Sequence, residues 1–97
     1  MSINYVDYEV LETGIQVYGA QAEAVQTVLK SLNTMNENLA EGWQNDTSRA
    51  FIEKFNEVHG PALMEVVKAL EGIAQSINNY MTNRQEEDQS GAASIRG

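Results

Sequence analysis

From Leu11 to Leu39 the chain keeps one spacing without a break. The residues are Leu11, Ile15, Tyr18, Ala22, Val25, Leu29, Leu32, Asn36 and Leu39, in alternating steps of four and three. A repeat of 3.5 residues matches the pitch of an α-helix and excludes a strand, whose sides alternate every second residue. Val10, Val17, Ala24, Val28 and Met35 lie beside this seam and widen it. The apolar face is broader than a bare two-stranded coiled coil requires and suits a helical bundle. Asn36 is the one polar member. It either fixes the register of the seam at some cost in stability or stands at its solvent edge.

The ends of this helix are also readable. Asp7 suits the N-cap, where its carboxylate accepts free N–H groups of the first turn, and Val6 with Leu11 has the spacing of a hydrophobic staple. Gly42 suits the position just past the end, where a left-handed backbone closes a helix. The sequence therefore predicts a first helix over about 7–41 and a turn over 42–46. Gly14 and Gly19 inside it point to close packing against a neighbour, with a hinge as the alternative.

A second beat runs through Phe51, Phe55, Val58, Ala62, Val66, Leu70 (or Ala69), Ile73, Ile77 and Tyr80, flanked by Ile52, Leu63, Met64, Val67 and Ala74. Asn45 or Asp46 caps this helix. Gly60-Pro61 interrupts it, since Pro61 lacks an N–H and its ring crowds the preceding turn. The reading is one helix over about 47–86 with a kink near 57–61, or a full break there. Residues 88–97 are read as a flexible acidic and polar tail.

Two long helices joined by a short turn form an all-α, antiparallel helix-turn-helix hairpin. Each helix carries more apolar surface than one partner can cover, and soluble monomers avoid large exposed patches. Pairing of two hairpins into a four-helix bundle dimer resolves this. The interface residues of such a bundle are Leu11, Ile15, Tyr18, Val25, Leu29, Leu32, Phe51, Phe55, Val58, Val66, Leu70, Ile73 and Ile77.

Composition removes most other functions. Six Lys and Arg stand against 14 Asp and Glu, a net charge of −8, which repels nucleic acid and anionic lipid surfaces. There is no Cys, hence no thiolate metal site or thiol nucleophile. No apolar run approaches the roughly 20 residues of a membrane span, and no basic-then-apolar start marks a Sec-type signal. The lone His59 sits beside the Gly60-Pro61 interruption and reads as solvated or capping. Glu86, Glu87 and Asp88 read as a solvated charge run. No phosphate-binding loop, EF-hand or zinc spacing is present, so neither an enzyme nor a metal or other cofactor is expected.

The single Trp, Trp43, stands in the turn segment Glu41-Gly42-Trp43-Gln44-Asn45-Asp46, followed by Arg49-Ala50-Phe51 and Phe55. A ring there can cover the helix ends. A chain of about 100 residues with two amphipathic helices and a Trp-x-Gly turn also resembles the WXG family, the Esx-like helical hairpins of type VII secretion. The spacing of Phe51 and Phe55 from Trp43 and the opening Val6-Asp7-x-x-x-Leu11 share in that resemblance, which covers the chain to about Tyr80. Asn45 replaces the glycine, as the non-glycine residue that best tolerates positive φ. The family's export signal, Tyr-x-x-x-Asp/Glu, is incomplete: Tyr80 holds the aromatic place and Arg84 the acidic one.

The resemblance implies a secreted, non-enzymatic protein, cytoplasmic before export and leaving by a non-Sec route as a folded dimer. The dimer would be a homodimer, or a heterodimer with a related WXG-type protein in which the partner bears the signal. Gly42, Trp43 and Asn45 would form the turn motif, with Tyr80 as the export-signal aromatic facing the secretion machinery. A targeting partner or chaperone for the helical N-terminal region of a larger effector is the second reading. A coiled-coil adaptor unconnected to secretion is the third.

Overall fold

A computed structural model describes the backbone of residues 5–96 and the side chains of residues 5–88. The chain order is α1 (Tyr8–Gly42), α2 (Asp46–Lys54), a π-helical turn (Phe55–His59) and α3 (Gly60–Arg96). The last three form one continuous helical rod that folds back along α1, giving an object 76 Å long and 23 × 21 Å across. The hairpin expected from the sequence is thus present. No helix among the described residues is long and apolar enough to cross a membrane.

Asp7 caps α1, its carboxylate accepting the Val10 N–H at 3.3 Å. Where the two arms pack, α1 turns inward Leu11, Ile15, Tyr18, Ala22, Val25, Leu29, Asn36 and Leu39, each buried or half-buried. In heptad letters these are positions a and d, so the first seam is the hairpin seam. Leu32 belongs to it by spacing but keeps 38% of its surface exposed. Asn36 is only 8% exposed, and its amide nitrogen has no hydrogen-bond partner. It is therefore a core residue and not a solvent-edge one.

The second arm differs from the expected seam. Ser48, Ile52 and Phe55 face inward before the π-turn, and Leu63, Val67, Leu70, Ala74, Ile77 and Met81 face inward after it. Phe55, Leu70 and Ile77 were expected there. Phe51, Val58, Val66 and Ile73, named with them as bundle-interface residues, point away from α1 and keep 41–51% of their surface exposed. The cause lies at Gly60-Pro61. The Gly60 N–H donates to the Phe55 carbonyl, one residue further back than in an α-helix. Pro61 has no N–H for the Glu57 carbonyl, and widening the turn relieves the crowding of its ring. The disturbance predicted near 57–61 thus takes the form of an inserted residue within a continuous helical arm, and not of a break. Gly60 fits closely there: a Cβ would sit 3.3 Å from the Phe55 carbonyl oxygen, so a side chain would require that carbonyl to give way. Gly14 is approached by Ile77 at 3.5 Å, whereas Gly19 has open space around it.

The second helix extends past its expected end near residue 86. Its backbone stays helical through Arg96, beyond residue 88 where the sequence predicts a flexible tail; Gly97 lies outside the described residues. Adding a residue to an existing helix costs little, and Ala92-Ala93 favours that propagation.

Candidate functional site

The turn is built differently from the expectation. Gly42 is the last residue of α1, and no described residue has positive φ. Trp43 ends the helix with φ −140° and ψ 83°, its N–H donating to the Leu39 carbonyl at 2.8 Å. Asn45 is also extended, with φ −154°, so its role is not tolerance of a left-handed turn. It is the N-cap of α2. Its side-chain oxygen accepts the Ser48 N–H at 2.9 Å, and its own N–H donates to Ser48 Oγ at 3.3 Å. This reciprocal box satisfies two donors that a helix start leaves free. Ser48, 1% exposed, was missed in the sequence, although Asn45-x-x-Ser48 carries the signal. Asp46 pairs with Arg49 in the first turn of α2.

Trp43 is half-buried, and its ring lies 6.1 Å from that of Phe51 at a 47° tilt. Such offset aromatic pairs add about 0.5–1.5 kcal/mol beyond the area they bury. Trp43 therefore ties the turn to the first large exposed apolar residue of the second arm.

The outward apolar residues follow a rule. On α1, Val10, Val17, Ala24, Val28 and Met35 occupy heptad positions c and g, beside the seam on one flank. On the second arm, Phe51, Val58, Val66, Ile73 and Tyr80 all occupy g, with Ala62 and Ala69 at c. In an antiparallel pair the g positions of both helices flank the same side of the seam. Val10 and Tyr80 accordingly line one groove, together with Val6 and Leu11. The other flank is mostly polar, with Glu71, Gln75 and Asn78 beside Ile15 and Ala74 around one shallow groove and Asn33, Glu37 and Asn56 beside Ala40 and Ile52 around another; Met64, 39% exposed, is its large apolar residue. The hairpin thus concentrates its exposed apolar residues on one broad face and most of its polar ones on the other.

At the open end, Tyr80, Arg84 and Asp88 succeed one another at intervals of four on α3. The Tyr8 hydroxyl donates to Asp88 Oδ2 at 2.7 Å, and Arg84 Nε approaches Asp88 Oδ1 at 3.4 Å. Hydrogen bonding to Asp88, with partial desolvation, raises the Tyr8 pKa. Burial alone would lower the Arg84 pKa, but Asp88, Tyr80 and Tyr8 together outweigh it and raise it. Arg84 thus joins a network that fastens α3 to the start of α1. Tyr8 and Asp88 were not singled out in the sequence, since nothing local pairs residues 80 apart.

Among the described residues no group of three or more His, Cys, Asp or Glu could hold a metal. The grooves are open and shallow.

The family WXG100, described as proteins of 100 residues with WXG, matches residues 5–89. An uncharacterized protein of Clostridium acetobutylicum is 29% identical over 87 residues, covering 90% of each chain. No solved structure matches the chain significantly. The family match spans the turn, both arms and the outer apolar face, and the chain belongs to the WXG100 family.

Proposed function

We propose that this chain is a small secreted protein of the type VII pathway, non-enzymatic, that leaves the cell folded and paired with another helical hairpin. Family membership supports the pathway. The observation that carries the pairing is the one-sided apolar face, on which Val10, Phe51 and Tyr80 keep 64%, 51% and 49% of their surface exposed. Burying that face against a like hairpin gives a four-helix bundle with the polar flanks and the −8 charge outward. Trp43 at the turn and Tyr80 near the open end are the residues we assign to recognition by the export machinery. In an antiparallel pair the turn of one hairpin lies near the open end of the other, so both residues contribute to one composite surface.

The test is export from its native cells, with and without the secretion ATPase. Wild-type protein is expected in the medium only when the ATPase is present. Trp43→Ala and Tyr80→Ala are expected to remain inside while still folded and paired. Unchanged export of both variants would remove the recognition surface from the proposal, and export without the ATPase would remove the pathway.

A further inference from the structure

On the mostly polar flank, toward the turn, two shallow grooves share Ala40, Ile52 and Asn56 and merge into one. Asn33, Asn36 and Glu37 of α1 form one wall, and Ile52 and Asn56 of the second arm form the other. Asn36 is 8% exposed, and its amide nitrogen is enclosed without a partner. The seam residues before and after it, Leu32 and Leu39, are apolar, so the groove is the polar side of its surroundings. Rotation about the last bond of an asparagine side chain is soft, and it turns the N–H toward the groove, where an acceptor can reach it.

A second unmatched group stands on the opposite wall, where the arm passes through the π-turn. The Gly60 N–H is given to the Phe55 carbonyl, and Pro61 has no N–H. The Asn56 carbonyl thus has neither its α-helical nor its π-helical donor. One wall carries a donor without an acceptor and the other an acceptor without a donor. The exposed carboxamides of Asn33 and Asn56 serve as both. This arrangement complements an extended main chain, which presents N–H and C=O groups along both edges. An isolated amide meets only one wall. The rim sets the charge of the occupant. Glu37, Glu53 and Glu57 line it, and Arg49, the one cation among the lining residues, is paired with Asp46. Ala40 and Ile52 leave an apolar floor for a side chain turned inward between basic ones turned outward.

We propose that this groove binds an extended, basic segment of another protein, held by its main-chain amides through Asn36, Asn33 and Asn56. The groove lies on the flank away from the outer apolar face, so the segment is held whether or not a second hairpin covers that face. Asn36 costs the free chain stability and gains its partner in the complex.

Main-chain recognition does not depend on one order of side chains, so a generic probe serves: a short capped peptide alternating lysine and valine, labelled with fluorescein. Its binding to the purified full chain is followed by fluorescence anisotropy at physiological salt, which screens loose attraction to the acidic surface. Asn36→Leu is expected to weaken binding at least about tenfold, because a peptide carbonyl is left without its donor. The same variant, unliganded, should melt higher than wild type. A second probe with alternate amides replaced by esters keeps charge and side chains but loses main-chain donors, and should also bind at least about tenfold more weakly. In nitrogen-labelled protein the Asn36 side-chain amide signals should move downfield when the amide probe is added. Absence of binding at millimolar peptide overturns the proposal. So does equal binding of the amide and ester probes, or binding indifferent to Asn36→Leu, either of which reduces the effect to charge attraction. Asn36 signals unmoved by bound peptide overturn it as well, and leave that amide to a buried water.

Discussion

Asn36 offers the sharpest test of the packing. It occupies an a position of the hairpin seam, is 8% exposed, and its amide nitrogen has no partner. An unsatisfied buried donor costs about 1–3 kcal/mol, and replacing it with an apolar group of similar size removes that cost. Leucine at this position would also bury apolar surface worth roughly 1 kcal/mol or more. Asn36→Leu is therefore expected to stabilise the fold by about 2–4 kcal/mol. For a chain of this size each kcal/mol moves Tm by roughly 4–8 °C, so an increase of about 10 °C or more is expected. Urea titration monitored by circular dichroism, at a single protein concentration because association also contributes, measures it directly. Asn36→Asp serves as the opposite control and should destabilise, since it buries a charge without a partner. A fall in stability for Asn36→Leu would mean that the amide is bonded in solution by a group outside the hairpin, and the packing argument would be refuted.

Other expectations follow from the same geometry. Gly60→Ala should destabilise by about 1–3 kcal/mol, because its Cβ meets the Phe55 carbonyl oxygen, whereas Gly72→Ala, with open space, should stabilise by about 1 kcal/mol in thermal melts. Asn45→Ala removes the reciprocal cap and should cost about 1 kcal/mol in urea denaturation. Hydrogen bonding to Asp88 raises the Tyr8 pKa above its ordinary value of 10.0. Its contribution is thus complete below pH 10.0 and is lost as pH rises through the folded value. A stability decline above that pH should be smaller in Tyr8→Phe.

The parts of this fold that were legible in the sequence are those set by local periodicity. The α1 seam could be read because nothing interrupts its spacing, and Asp7 because a cap acts within three residues. The second row, read from the same kind of spacing, divides between an inner and an outer face. Phe51, Val58, Val66, Ile73 and Tyr80 form a cleaner apolar row than the true inner positions, which include Ser48 and Ala74. Without knowing where the extra residue at the π-turn was absorbed, an outer row and an inner row could not be told apart. At the turn, Gly42 and Asn45 suggested left-handed backbone by residue type, but capping by Ser48 made extended conformations sufficient. Trp43 was identified by its isolation in the sequence; its pairing with Phe51 was not legible, because the approach of the two rings depends on how the chain leaves α1 and enters α2.

The Tyr8–Asp88 hydrogen bond joins residues 80 apart, near the two ends of a hairpin whose turn is pinned by a reciprocal cap. In such a chain every inter-arm contact near Trp43 closes a short loop, and each later one adds only a small further loss of chain entropy once its neighbours have formed. Folding is then a zipper that starts at the turn and ends at Tyr8 and Asp88. Opening runs in the reverse order, with exposed side-chain bonds yielding before the buried middle around Ala22 and Val67. The open end, which carries Tyr80, is thus the last part of the molecule to become ordered and the first to be released.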